Sequence, residues 1–145
     1  MVVDRRTVDT HLQELEEAVR LLRQEAGRSL EELVADPVRA FGVQHLLQIS
    51  IEGLANVANH LAAECGWETP RSYLASFANL SRHGIITEAG LAERLEQMAR
   101  FRNLVVHRYW KVEMHEVYRI LQEHLGDLTA TGAAIARFLA EHPEL

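Results

Sequence analysis

Cysteine, proline and glycine are scarce in this 145-residue chain, with one, three and eight copies. The lone cysteine, Cys65, can form neither an internal disulfide nor a zinc site with a second thiolate, which fits a reducing compartment. So few breakers leave little room for turns, and no stretch alternates apolar and polar residues as a half-buried strand would. No window approaches the ~20 apolar residues that cross a bilayer. The opening Met-Val-Val-Asp-Arg-Arg-Thr carries charge where a signal peptide needs an apolar run. A cytoplasmic protein without membrane contact is expected. Missing as well are a glycine-rich phosphate loop, a His-Glu-x-x-His, a Glu-x-x-His pair and a G-x-S-x-G elbow, which disfavours the common bundle enzymes. No cofactor and no metal are expected.

What is present is an average globular composition, 48% hydrophobic and 25% charged, which excludes disorder. The length suits one domain over 1–145, able to bury roughly two thirds of its unfolded surface without a staple. A net charge of −6 argues against a surface that binds nucleic acid everywhere. The distribution is uneven, however. Between Gln97 and Val112 there is no acidic residue, while Arg100, Arg102, Arg108 and Lys111 add positive charge.

The periodicity predicts an all-α protein, an antiparallel bundle of four to five helices. A first helix over about Asp4–Ala26 carries Val8, Leu12, Leu15, Val19 and Leu22 on one stripe, with Gly27 expected as a left-handed cap. Ser29 and Glu32 form a capping box for a short helix. Asp36-Pro37 starts a long helix reaching about Cys65. Thr69-Pro70 repeats that start signal for a third helix with Tyr73, Phe77 and Leu80 inward, ending at His83-Gly84. Thr87 is expected to cap a fourth, with Leu91, Leu95, Met98 and Phe101 in register. A last helix runs from about Glu113 to Ala140, with Gly126 and Gly132 as points where it could bend. The β-branched pair Val105-Val106 predicts a kink or break nearby.

Basic, polar and aromatic groups concentrate in Arg102-Asn103-Leu104-Val105-Val106-His107-Arg108-Tyr109-Trp110. An arginine five residues before a histidine means little alone, since Arg6/His11, Arg119/His124 and Arg137/His142 share the spacing. Only the 102/107 pair adds Asn directly after Arg and Tyr two residues after His. On one regular helix Asn103 and His107 share a face, whereas Arg102 and His107 lie about 140° apart. Either the valine pair turns the helix so that His107 comes back to Arg102, or two copies of the chain pool these residues across a two-fold axis. The second arrangement supplies two histidines, and RNA cleavage without metal needs a base for the 2′-hydroxyl and an acid for the leaving 5′-oxygen. Arg102 suits the charge developing on the phosphate, and Asn103 can orient phosphate or imidazole. The same residues also fit a plain helix end, with cations meeting the dipole and Tyr109 and Trp110 as packing aromatics.

The long helix carries a polar line, His45, Gln48, Glu52, Asn56 and His60, beside an apolar one. Such a line is ordinarily a solvated face. A metal set from Glu52, Asn56 and His60 is weak because asparagine is a poor transition-metal ligand. Cys65 reads as a small core residue rather than a nucleophile.

On these residues the chain resembles the HEPN superfamily, and within it the HepT-like toxins paired with nucleotidyltransferase antitoxins. The strongest match is Arg102-Asn103-x-x-x-His107-x-Tyr109, similar to the family's R-x4-H-x-Y motif. The likeness extends to Gln48-Ile-Ser-Ile-Glu52-Gly-Leu-Ala-Asn56, Pro70-Arg-Ser-Tyr73 with Phe77 and Leu80, Gly84-Ile-Ile, and Leu91 through Asn103. The resemblance implies a homodimeric bundle whose two motifs meet in a cleft, and a metal-independent ribonuclease acting on messenger or transfer RNA. It implies neutralisation by a nucleotidyltransferase that attaches AMP to the motif tyrosine. Carried over, Arg102 and His107 are catalytic, Asn103 is auxiliary and Tyr109 is the acceptor. Arg100, Arg108 and Lys111, with Glu52 and Asn56 from the long helix, border the RNA groove. Arg108 departs from the acidic residue common at that place in relatives. Two competitors remain: a non-catalytic HEPN module that binds a nucleotidyltransferase or a nucleotide, and a purely structural dimerisation unit.

Overall fold

Asp4, Ser29, Asp36 and Ser72 each stand one residue ahead of a helix, and each accepts a backbone N–H of the first turn through a side-chain oxygen. These caps satisfy donors that a helix start otherwise leaves unpaired. The computed structural model describes residues 2–107 and 114–145, and for 103–107 the backbone alone. Seven helices are described: α1 (Arg5–Glu25), α2 (Leu30–Ala35), α3 (Pro37–Cys65), α4 (Tyr73–Arg82), α5 (Leu91–His107), α6 (Met114–Glu123) and α7 (Leu125–Glu141). No strand occurs among the described residues.

Helix α3 is the centre, touching every other helix. Its 29 residues start at the Asp36-Pro37 signal and stop at Gly66, whose φ of 70° places it in the left-handed region with its N–H on the Ala62 carbonyl. Leu47, Ile51, Leu54 and Leu61 of α3 are fully buried against Leu22 of α1, Leu33 of α2, Phe77 and Leu80 of α4, Leu95 of α5, and Leu128 and Ile135 of α7. Each such side chain contributes about 1.5–3 kcal/mol on leaving water.

Four details differ from the expected boundaries. Gly27 does not adopt a left-handed φ. Instead α1 ends through tighter bonds, Gly27 N–H to Gln24 O and Arg28 N–H to Glu25 O, which satisfy the last carbonyls without an αL residue. The third helix is capped by Ser72 rather than Thr69, and the loop before it is tied down where Asn79 Nδ2 donates to the Glu68 carbonyl at 2.9 Å. The fourth starts at Leu91 rather than after Thr87, because Gly90 at φ 81° cannot lie inside a right-handed helix. The long terminal helix is broken at His124, whose ring bridges Arg119 of α6 (2.9 Å) and Asp127 of α7 (3.2 Å). Asp127 is also held by Arg94 of α5 at 3.0 Å. The break lets α6 lie on α2 while α7 lies on α1.

Arg5 fastens the end of α7 to the start of α1, donating to the carbonyls of Leu139 at 2.9 Å and His142 at 2.7 Å.

Two glycines give opposite expectations. A Cβ on Gly42, inside α3, meets nothing within 4 Å, whereas a Cβ on Gly132, inside α7, comes within 3.1 Å of Leu15 Cδ2 on α1. Gly42→Ala is expected to raise the unfolding free energy by about 0.5–1 kcal/mol through reduced backbone entropy. Gly132→Val is expected to lower it by about 1–3 kcal/mol through overpacking. Denaturant titration of both variants checks the contrast, and a shift of the same sign in both would contradict this packing.

Candidate functional site

Arg102 lies near the end of α5 directly after Phe101, which is 5% exposed and anchors that turn in the core. Its guanidinium crosses to α3, where Nε and Nη2 donate to the same oxygen of Glu52, Oε1, at 2.8 and 2.6 Å. Gln48 Nε2, one turn earlier on α3, donates to that oxygen at 3.1 Å. Tyr73, the first residue of α4, supplies a face for the cation, with the guanidinium carbon 4.4 Å from the ring centroid. Three helices therefore converge on one cation. The Arg102 and Glu52 side chains are 18% and 25% exposed, so their attraction is less screened than at an open surface.

Sequence reasoning grouped Arg102 and Glu52 in one groove, and the two are in direct contact. Tyr73 is expected from its spacing on a buried stripe, and it also stands in the Pro70-Arg-Ser-Tyr73 match. It is part-buried instead, and the signal that could have separated it from Phe77 and Leu80 is its position at the first turn, where a helix start is open on one side. Asn56 is exposed one turn beyond Glu52 on the same side of α3. Arg100 is exposed and lies about 200° round α5 from Arg102, so the two do not share a face. The side chains of Asn103 and His107, and all of Arg108, Tyr109, Trp110 and Lys111, fall outside the described residues.

Backbone geometry still bears on the Arg102–His107 question. Helix α5 continues through Val105-Val106 to His107. The helix holds through the valines themselves, since β-branching costs only a few tenths of a kcal/mol per residue against a helix anchored by Met98 and Phe101, and a kink or break close to them but beyond His107 lies outside the described residues. Positions 102 and 107 thus sit about 140° apart around one axis, and a single α5 does not aim both at one atom.

The polar line of α3 divides. Gln48 and Glu52 serve Arg102, His45 is exposed, and His60 Nε2 accepts the Asp4 backbone N–H at 2.9 Å, joining α3 to the start of α1. Glu52 and His60 are thus engaged on different elements. Burial, with Glu64 adding to it, pushes the Cys65 thiol up, so Cys65 stays a neutral thiol.

Residues 10–135 match the family described as Ribonuclease HepT-like. The mRNA nuclease HepT of Shewanella oneidensis is 32% identical over 81 residues, covering 56% of this chain and 60% of that protein. The alignment thus spans less than two thirds of that relative. The tri-AMPylated Shewanella oneidensis HEPN toxin, solved in complex with an MNT antitoxin, has a TM-score of 0.81 at 23% identity, covering 90% of this chain and 97% of that one. YutE from Bacillus subtilis, described as a cytosolic protein of unknown function, has a TM-score of 0.84 at 20% identity, covering 99% and 94%. At these identities the likeness is one of fold. No described helix is long and apolar enough to cross a membrane.

The Glu52–Arg102 contact is testable without any activity. Glu52→Ala removes the carboxylate from a part-buried guanidinium and is expected to lower the unfolding free energy by about 1–3 kcal/mol. His45→Ala, on the exposed part of the same line, should change it by under about 0.5 kcal/mol. Equal melting curves for parent and Glu52→Ala would show that the pair contributes nothing.

Proposed function

Because this chain belongs to the Ribonuclease HepT-like family, we propose that it is an RNA endonuclease toxin that works as a homodimer without metal and is silenced by AMP transfer onto Tyr109. The observation that carries the reading is the Arg102 guanidinium, fixed by Glu52 and stacked on Tyr73 at the first residue of the motif. A cation with its direction set in advance needs little reorganisation when charge builds on a phosphate.

The unbroken course of α5 supports pooling of residues from two chains. In this reading the 2′-oxygen attacks phosphorus and the bond to the 5′-oxygen breaks, leaving a cyclic 2′,3′-phosphate and a free 5′-hydroxyl. His107 of one chain takes the 2′-hydroxyl proton, and His107 of its partner protonates the leaving oxygen. Arg102 neutralises the phosphorane charge and Asn103 orients the phosphate or the imidazole. Arg100, Arg108 and Lys111 add positive field, which draws a messenger or transfer RNA toward an otherwise acidic protein. Glu52 acts by positioning Arg102, and Asn56 borders the groove beside it. A nucleotidyltransferase partner transfers AMP to the Tyr109 hydroxyl, and the added bulk and negative charge repel RNA phosphates from the groove.

Two measurements test this. Purified protein is expected to cleave RNA in excess EDTA, with His107→Ala slower by at least about a hundredfold. Equal cleavage by both proteins, or intact RNA with the parent, would sink the nuclease reading. Intact RNA together with stable nucleotidyltransferase binding would leave the non-catalytic module. Incubation with that partner and ATP is expected to add AMP to Tyr109, seen by peptide mass spectrometry, and Tyr109→Phe should carry none there. An unmodified Tyr109 alongside a silenced protein would overturn the proposed switch.

A further inference from the structure

A cavity of about 460 Å³ opens where α3 faces the start of α4, lined by Asn59, Pro70, Arg71, Ser72 and Tyr73. That volume is within the range of small-ligand sites. Tyr73 belongs to this cavity and also carries the Arg102 guanidinium, so the cavity adjoins the site already described. Positions 52, 56 and 59 fall within about 60° of one another around α3, and 52 and 59 are about 10 Å apart along it. One face of α3 therefore leads from the Glu52–Arg102 pair to the cavity, a step that suits the neighbouring unit of a strand rather than the same phosphate.

The lining has the chemistry of a nucleotide site. Arg71 is exposed, and among the described residues it makes no ion pair or hydrogen bond. Asn59 Oδ1 lies 2.6 Å from the Ser76 hydroxyl, which is also 3.0 Å from the Ser72 carbonyl, and Asn59 Nδ2 makes no hydrogen bond among the described residues. No carboxylate lines the cavity. A cation, an amide donor and an aromatic ring together recognise a phosphate and a base.

We propose that this cavity holds the nucleotide next to the scissile phosphate in single-stranded RNA, with Arg71 on its phosphate, Asn59 donating to it and Tyr73 supporting its base. The proposal rests on the reading of the Arg102 site as an RNA cleft, and it makes Arg71 a substrate-positioning residue rather than a catalytic one. Its shared position lets Tyr73 couple the two sites, since a base against its ring and a guanidinium against its ring both depend on one rotamer.

The test uses the full chain and a short fluorescent single-stranded RNA. In a His107→Ala background, Arg71→Gln is expected to weaken RNA binding about five- to tenfold and to flatten the slope of log affinity against log salt by about 0.7. In the cleaving protein the same substitution should raise KM by a similar factor while kcat moves by less than about twofold. Arg20→Gln, an exposed arginine paired with Glu17 on α1, is the charge control and should leave affinity and slope at the parent values. RNA cut by Arg71→Gln with the parent KM overturns this site alone. A fall in kcat at constant KM overturns the positioning role. Arg71-dependent binding of free AMP as tight as that of the RNA overturns assignment to a strand, and a parent that neither binds nor cuts RNA overturns both this proposal and the nuclease reading.

Discussion

Helix α3 is apolar around most of its circumference, and water must be kept from that surface for its full length of 29 residues. The other six helices supply the cover, each with buried side chains of its own, α2 with Leu33 alone. What stays uncovered is one strip running from Val38 through His45 and Asn56 to Asn59. The polar groups that α3 contributes to the candidate site, Gln48, Glu52 and Asn56, lie on or beside the part of the helix that packing did not need.

Glu52 sits at the margin of that strip, half covered, where a bare carboxylate would lose hydration without compensation. Arg102 supplies the compensation, and Gln48 and Tyr73 complete the surround. Such a pair adds little net stability compared with apolar packing, because desolvation offsets the attraction. Its effect is directional: it fixes where a cation points. The same logic applies at the α6–α7 break, where Arg119, His124, Asp127 and Arg94 tie three helices together through partly buried polar contacts. Arg119 also reaches back to the first turn of α6, where its hydrogen bond holds the Glu116 carboxyl below its usual range.

Helix starts with a side-chain acceptor were readable one by one: Asp36-Pro37 and the Ser29/Glu32 box needed no partner from elsewhere in the chain. Apolar stripes were readable for the same reason, as with Leu91, Leu95, Met98 and Phe101 on α5, all buried. The misses share a cause. Thr69 and Ser72 are both competent caps, and the choice between them came from the Asn79–Glu68 bond of a folded loop. His124 interrupts a periodic stripe that runs evenly from Leu121 to Leu128, and its break depends on Asp127 and Arg94, the latter thirty-three positions from Asp127 along the chain. Of the candidate site, Arg102 and Glu52 were legible, whereas Tyr73 was hidden because its spacing matches that of its buried neighbours.

By itself the sequence determined the helical class, the caps at Ser29 and Asp36, the apolar faces and the Arg102-Asn103-x-x-x-His107-x-Tyr109 pattern, because each depends on residues within a few turns of one another. The tertiary structure alone decided that Arg102 meets a carboxylate fifty positions away, that Tyr73 shields it, and that Arg71 and Asn59 share a cavity beside them. Those contacts depend on how far each helix is rotated about its axis and how it crosses α3, and local periodicity leaves both undetermined.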